Sequence, residues 1–69
     1  MSLFSERLIE LRKEKGMSQA EAAKEFQVVV RAYQRYEYDE REPRLSVLIH
    51  MADFYGVSLD YLAGRREDR

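Results

Sequence analysis

The chain has 69 residues, 45% of them hydrophobic and 36% charged, with a formal net charge of −1; this suits one small helix-rich domain, too short to enclose a sizeable catalytic cleft. It contains no cysteine and a single histidine, His50, which excludes disulfides, thiolate zinc sites and histidine-rich metal centres. No apolar run reaches membrane-spanning length and no signal peptide opens the chain, so a cytoplasmic location is the expectation.

Met1, Ser2 and Leu3 are given no weight, because a cloning vector can supply such residues. From about Phe4 to Lys15, Phe4, Leu8 and Leu11 recur at i, i+4 and i+7, one stripe of an amphipathic helix. Lys13 and Lys15 suit the negative end of its dipole, and Gly16 supplies a left-handed stop. Ser18-Gln19-Ala20-Glu21 reads as a capping box that opens a second helix, with Met17 in the staple position and an end near Phe26. A turn through Gln27 and Val28 leads to a third helix from about Val30 to Glu37. Tyr33 and Tyr36 share one face of it, at a spacing that suits the core. Asp39 to Pro43 is a polar loop. A fourth helix, about Leu45 to Tyr55, carries an expected inward stripe of Leu45, Leu48, Ile49, Ala52 and Tyr55 and ends at Gly56. Ser58 caps a short fifth helix that stops at Gly64, and 65–69 is expected to be a frayed polar tail after a domain spanning 1–64. Five short helices with tight connections predict a compact all-α bundle.

Two helices joined by a turn of three or four residues make a helix-turn-helix, and the second and third segments have that spacing. The capped start of the first, at Ser18, offers amides and a positive dipole end to a phosphate. The second can enter the major groove and present its outward side chains to base edges. At this point the chain resembles the phage-repressor/Cro-type helix-turn-helix family, also called the XRE family, through RLIELRKEKGMSQAEAAKEF, then YQRYE, then REPRLSVLIHMADFYGVSLDYLAGR. The resemblance covers about Glu6 to Arg65 and implies a five-helix bundle of the lambda-repressor-like type.

It also implies roles by position. Gln19 matches a glutamine near the phosphate and outer bases. Val30, Arg31 and Arg35 fall where members of the family contact bases, with Ala32 and Gln34 beside them. Tyr38, Arg41 and Arg44 lie in or next to a loop that follows the phosphate backbone. Arg12 and Glu37 match a pair that forms an internal salt bridge in some relatives; two ordinary surface charges are the alternative. The function implied is a sequence-specific DNA-binding regulator, first of all a repressor, acting as a homodimer on a two-fold-symmetric site of double-stranded DNA. The alternative is a protein-interaction or antitoxin-like module on the same fold. No cofactor, metal, small-molecule ligand or membrane partner is expected, and the reading as an enzyme is rejected. Met51, Phe54, Tyr55, Tyr61 and Leu62 are the candidates for a dimer surface.

The chain departs from the family pattern at four places. Gln27 stands where glycine is usual in the turn, Val29 where serine or threonine caps the reading helix, Arg44 where serine precedes the fourth helix, and Asp39 where glycine follows the third. A left-handed non-glycine residue at 27 costs on the order of 1 kcal/mol, and valine withholds a cap of similar worth. Val29 and Val30 bring apolar groups that could meet thymine methyls, the core or a protein partner. From Ser18 to Tyr38 the basic residues Lys24, Arg31 and Arg35 cancel Glu21, Glu25 and Glu37, which predicts weak binding by a single copy.

Overall fold

The computed structural model describes residues 2–69. Five helices follow one another: α1 (Leu3–Glu14), α2 (Gln19–Glu25), α3 (Val30–Glu37), α4 (Leu45–Tyr55) and α5 (Leu59–Ala63), with no strand among the described residues. α1 begins one residue earlier than the apolar pattern suggests. Ser2 is its cap: the hydroxyl accepts from the Ser5 amide at 3.2 Å, and the Ser5 hydroxyl donates to the Ser2 carbonyl at 3.0 Å. Setting Ser2 and Leu3 aside is therefore corrected. Leu3 is also in use, because its Cβ lies where a side chain on Gly64 would have to go.

α2 packs on α3, α1 packs on both α3 and α5, and α4 packs on α5. Leu8 and Leu11 of α1, Ala22 and Ala23 of α2, Tyr33 and Tyr36 of α3, and Leu62 of α5 meet in one core. The two alanines let α2 lie close to its neighbours, as small side chains at a helix crossing do. Phe26 closes the end of α2 among aromatic rings. It stacks with Tyr33 at 6.3 Å between centroids and meets Phe54 and Tyr55 edge-on, each at 5.7 Å.

α4 corrects the sequence reading in phase. Its inward stripe is Leu48, Met51, Ala52 and Tyr55, whereas Leu45 is 68% exposed and Ile49 also faces outward. The segment LSVLIHMADFY is apolar nearly all round, so two stripes fit its spacing and only the neighbours decide between them. Three candidates for the dimer surface are corrected: Met51 on α4 and Tyr61 and Leu62 on α5 are core residues. Phe54 and Tyr55 are half-buried and pack on the core.

The expectation of a frayed end after Gly64 is also corrected. The Ser58 amide donates to the Arg69 carbonyl at 2.9 Å, and Arg7 donates to the carbonyls of Tyr61 and Arg66. The Arg69 guanidinium reaches Glu14 at 2.6 Å and Glu10 at 3.4 Å while lying near the Tyr61 ring. That pairing holds the Glu14 carboxyl below its usual range. The segment 65–69 is thus folded back along α1 and α5.

Candidate nucleic-acid interface

The site is built on the connection between α2 and α3. Phe26 ends α2, and Gln27 adopts the left-handed conformation at φ 58°. This lets the Gln27 amide donate to the Lys24 carbonyl at 3.2 Å and the Val28 amide donate to the Ala23 carbonyl at 3.0 Å. The double closure satisfies the last carbonyls of the helix and turns the chain sharply. Glutamine here bears the steric cost that glycine avoids. α3 ends in the same way: Asp39 has φ 62° and the Glu40 amide donates to the Arg35 carbonyl at 2.9 Å. The Asp39 carboxylate also accepts from the Ser2 amide at 3.0 Å, which ties the front of α1 to the end of α3.

The start of α2 is the capping box that its sequence spells. The Ser18 hydroxyl accepts from the Glu21 amide at 3.0 Å, and the Glu21 carboxylate accepts from the Ser18 amide at 2.8 Å. The start of α3 has no such support: Val29 occupies the cap position in extended conformation with no side-chain hydrogen bond. Its side chain is 72% exposed and that of Val30 is 39% exposed, so neither serves the core, while Val28 is half-buried against it.

Behind α3 lies a buried carboxylate. Glu37 is 1% exposed. Arg12 grips it with two nitrogens, Nε to Oε2 at 2.6 Å and Nη2 to Oε1 at 3.1 Å, a two-pronged geometry that suits a guanidinium. Arg12 Nη1 also donates to the Met17 carbonyl at 2.9 Å. The Gln19 amide donates to Glu37 Oε1 at 3.0 Å, and the Tyr33 hydroxyl donates to Oε2. The Gln34 amide in turn donates to Gln19 Oε1 at 3.2 Å. One connected set of polar groups thus locks α1, the turn before α2, α2 and α3 together. Burial pushes the Glu37 carboxyl up, but the hydrogen bonds from Arg12, Tyr33 and Gln19 outweigh it and hold it below its ordinary range. The pair with Glu37 raises Arg12. Burial, then the bond to Glu37, raises the Tyr33 hydroxyl far above its usual range.

The residues named from the sequence divide into two groups. Arg31, Arg35, Tyr38, Arg41 and Arg44 are exposed and belong to α3 and the loop after it. Gln19 and Gln34 are half-buried, and each spends part of its amide on the internal network. The Ser18 hydroxyl is used for capping. Arg41 and Arg44 come back beside the front of α3, where they share a depression of about 320 Å³ with Val28, Val29, Ala32 and Val47. The sequence reading did not find the link from Gln19 to Gln34 or the Tyr33 donor. The one available signal was the i, i+4 spacing of Tyr33 and Glu37 on a single helix.

The charge balance of this region looks different once placed in space. Glu37, counted against Arg31 and Arg35 in the sequence, is turned inward and neutralised by Arg12. The solvent face of α3 therefore presents Arg31 and Arg35 with no carboxylate of its own helix beside them. Glu25 is engaged by His50, Oε2 to Nε2 at 2.9 Å, on the other side of α2. His50 is half-buried there, edge-on to Phe26.

A capped helix, a four-residue turn in which Gln27 is left-handed and a second helix that presents Arg31 and Arg35 outward define a helix-turn-helix domain inside a five-helix bundle. A helix-turn-helix family model matches residues 8–62, and the chain belongs to this family. It is 39% identical over 67 residues to the HTH-type transcriptional regulator ImmR of Bacillus subtilis, covering 97% of this chain and 52% of ImmR. It is 37% identical over 62 residues to the cryptic phage CTXphi transcriptional repressor RstR of Vibrio cholerae, covering 90% of this chain and 55% of RstR. The crystal structure of a transcriptional regulator from Listeria innocua superposes with a TM-score of 0.86 at 30% identity, over 96% of this chain and 62% of that one. The chain thus spans about half the length of the curated relatives it matches. Among the described residues no helix is long and apolar enough to cross a membrane.

Proposed function

We propose that this chain is the DNA-binding part of a cytoplasmic transcriptional regulator, a repressor in the first instance, which reads duplex DNA with α3. The observation that carries the reading is the outer face of α3: Arg31 and Arg35 stand exposed on it while its one acidic residue, Glu37, is buried. An arginine at a base edge can form the two-pronged contact with guanine that fixes sequence. Arg41 and Arg44, in the loop beside the helix, suit phosphate oxygens, and Gln19, at the start of α2, is half-buried with part of its surface open to solvent. The names of ImmR and RstR support a regulator and a repressor. On α3 and the loop after it one copy offers four exposed cations, Arg31, Arg35, Arg41 and Arg44, so useful affinity is drawn from two copies on adjoining half-sites.

Selection from randomised duplex DNA at low salt tests the proposal. A sequence with two-fold symmetry is expected to enrich, and enrichment of none refutes the reading. Arg35→Ala is expected to relax preference at one base position. Arg41→Ala is expected to weaken all duplexes alike and to reduce the salt dependence. Equal, sequence-independent losses from both would overturn this division of roles.

A further inference from the structure

The front of α3 is unusual in its chemistry. Three successive valines lead into the helix, and only Val28 is used by the core. Val29 and Val30 project from the first turn of the helix proposed to enter the groove, and Val29 in particular forgoes the hydrogen-bonding cap that a serine or threonine would supply. The first residues of such a helix are those that meet base edges. In the major groove the one apolar feature of a base edge is the C5 methyl of thymine. The depression that Val29 lines is lined also by Arg41, Glu42 and Arg44. With two guanidinium groups to one carboxylate, the loop there keeps a net positive charge that suits the phosphates of a strand whose bases lie over the valines.

We infer that Val29 and Val30 form an apolar contact for thymine methyl groups, so that the half-site carries thymine opposite the front of α3. The inference rests on the DNA reading and names part of what that reading recognises. A polar base edge placed there loses water without gaining a partner, whereas a methyl group leaves water at no such cost. Discrimination therefore comes from rejection of cytosine and the purines as well as from attraction to thymine. Val29 forms the outer part of the contact because it is the more exposed, and Val30 supports it from the first helical position.

The test uses the 69-residue chain and the duplex enriched by selection, with each thymine replaced in turn by deoxyuridine. This keeps the pairing and removes only the methyl group. Wild type is expected to lose about four-fold in affinity at one or two positions, the worth of one buried methyl group. Val29→Ser is expected to abolish that difference between thymine and uracil. The same substitution installs a cap on α3 and is expected to raise the melting temperature. A merely structural valine would not tie its removal to loss of methyl sensitivity in a better-folded protein. A duplex bound tightly but equally with thymine or uracil at every position overturns the inference and leaves the DNA reading intact. Persistence of the full methyl effect in Val29→Ser combined with Val30→Ala also overturns it. Absence of any enriched duplex overturns both.

Discussion

Removal of the Glu37 carboxylate is the sharpest perturbation of this fold. Glu37→Ala leaves the Arg12 guanidinium, 13% exposed, without its counter-charge, and leaves the Tyr33 hydroxyl and the Gln19 amide without their acceptor. Breaking one side of a buried ion pair costs about 3–5 kcal/mol. A domain of this size has about 3–10 kcal/mol of stability in all. Urea unfolding followed by helical circular dichroism is therefore expected to shift its midpoint by roughly 2–3 M or to start from a partly unfolded baseline. Arg12→Met with Glu37→Leu is expected to be less damaging than Glu37→Ala alone, because no unpaired charge stays buried and the groups left without a partner, the Tyr33 hydroxyl, the Gln19 amide and the Met17 carbonyl, are all neutral.

The pH dependence follows from the same carboxyl. Its folded pKa lies below the ordinary 4.5, so the stability it contributes is fully present above 4.5 and is lost as pH falls through the lower folded value. Wild type should lose stability on acidification in that window, and the double variant should lose less. A cost under about 1 kcal/mol for Glu37→Ala would refute the argument. So would a double variant as unstable as the single one, or an unchanged acid limb.

Three further substitutions are predicted from backbone and burial. Gln27→Gly relieves the left-handed strain at φ 58° and should stabilise by about 0.5–1 kcal/mol, read as a rise of a few degrees in melting temperature. Gly64→Ala should cost more than Gly56→Ala. Both have positive φ, but only at Gly64 does the added carbon meet a neighbour, the Leu3 Cβ at 2.9 Å; equal melting temperatures for the two variants would contradict this. Tyr55→Phe should be neutral or stabilising by up to about 1 kcal/mol, because the Tyr55 hydroxyl is buried without a hydrogen-bond partner. Burial, then the charge of Glu37, pushes that hydroxyl up to about 12, so it should remain protonated in a spectroscopic titration through pH 10.

The features legible in the sequence are those set by local rules. Ser18 and Glu21 cap α2 because both partners of the box lie within one turn. Gly56 and Gly64 stop α4 and α5 in the left-handed conformation their composition suggests. Five helices and a bundle were readable from such signals, and Tyr33 and Tyr36 from their shared face. What was not readable depends on partners far along the chain. The phase of α4 is decided by the helices it meets, because Leu45 and Ile49 are as apolar as Leu48 and Met51. The end of the chain is held by Glu10 and Glu14, more than fifty residues away, and charge runs carry no sign of where they will fold. At the site, Arg31 and Arg35 could be picked out. The inward turn of Glu37, which leaves them unopposed, needs the position of Arg12 on another helix.

α3 divides its duties residue by residue. Tyr33, Tyr36 and Glu37 hold it to the bundle, and Val30, Arg31 and Arg35 do not take part in that hold. Exchange at the second set changes what the helix presents without touching what keeps it folded, since surface substitutions away from such anchors usually shift stability by about 0.5 kcal/mol or less. The domain is in this sense a fixed handle with a replaceable key. If α3 reads DNA as proposed, new preferences are within reach of exchanges at Val30, Arg31 and Arg35, with no compensating repair required in the core.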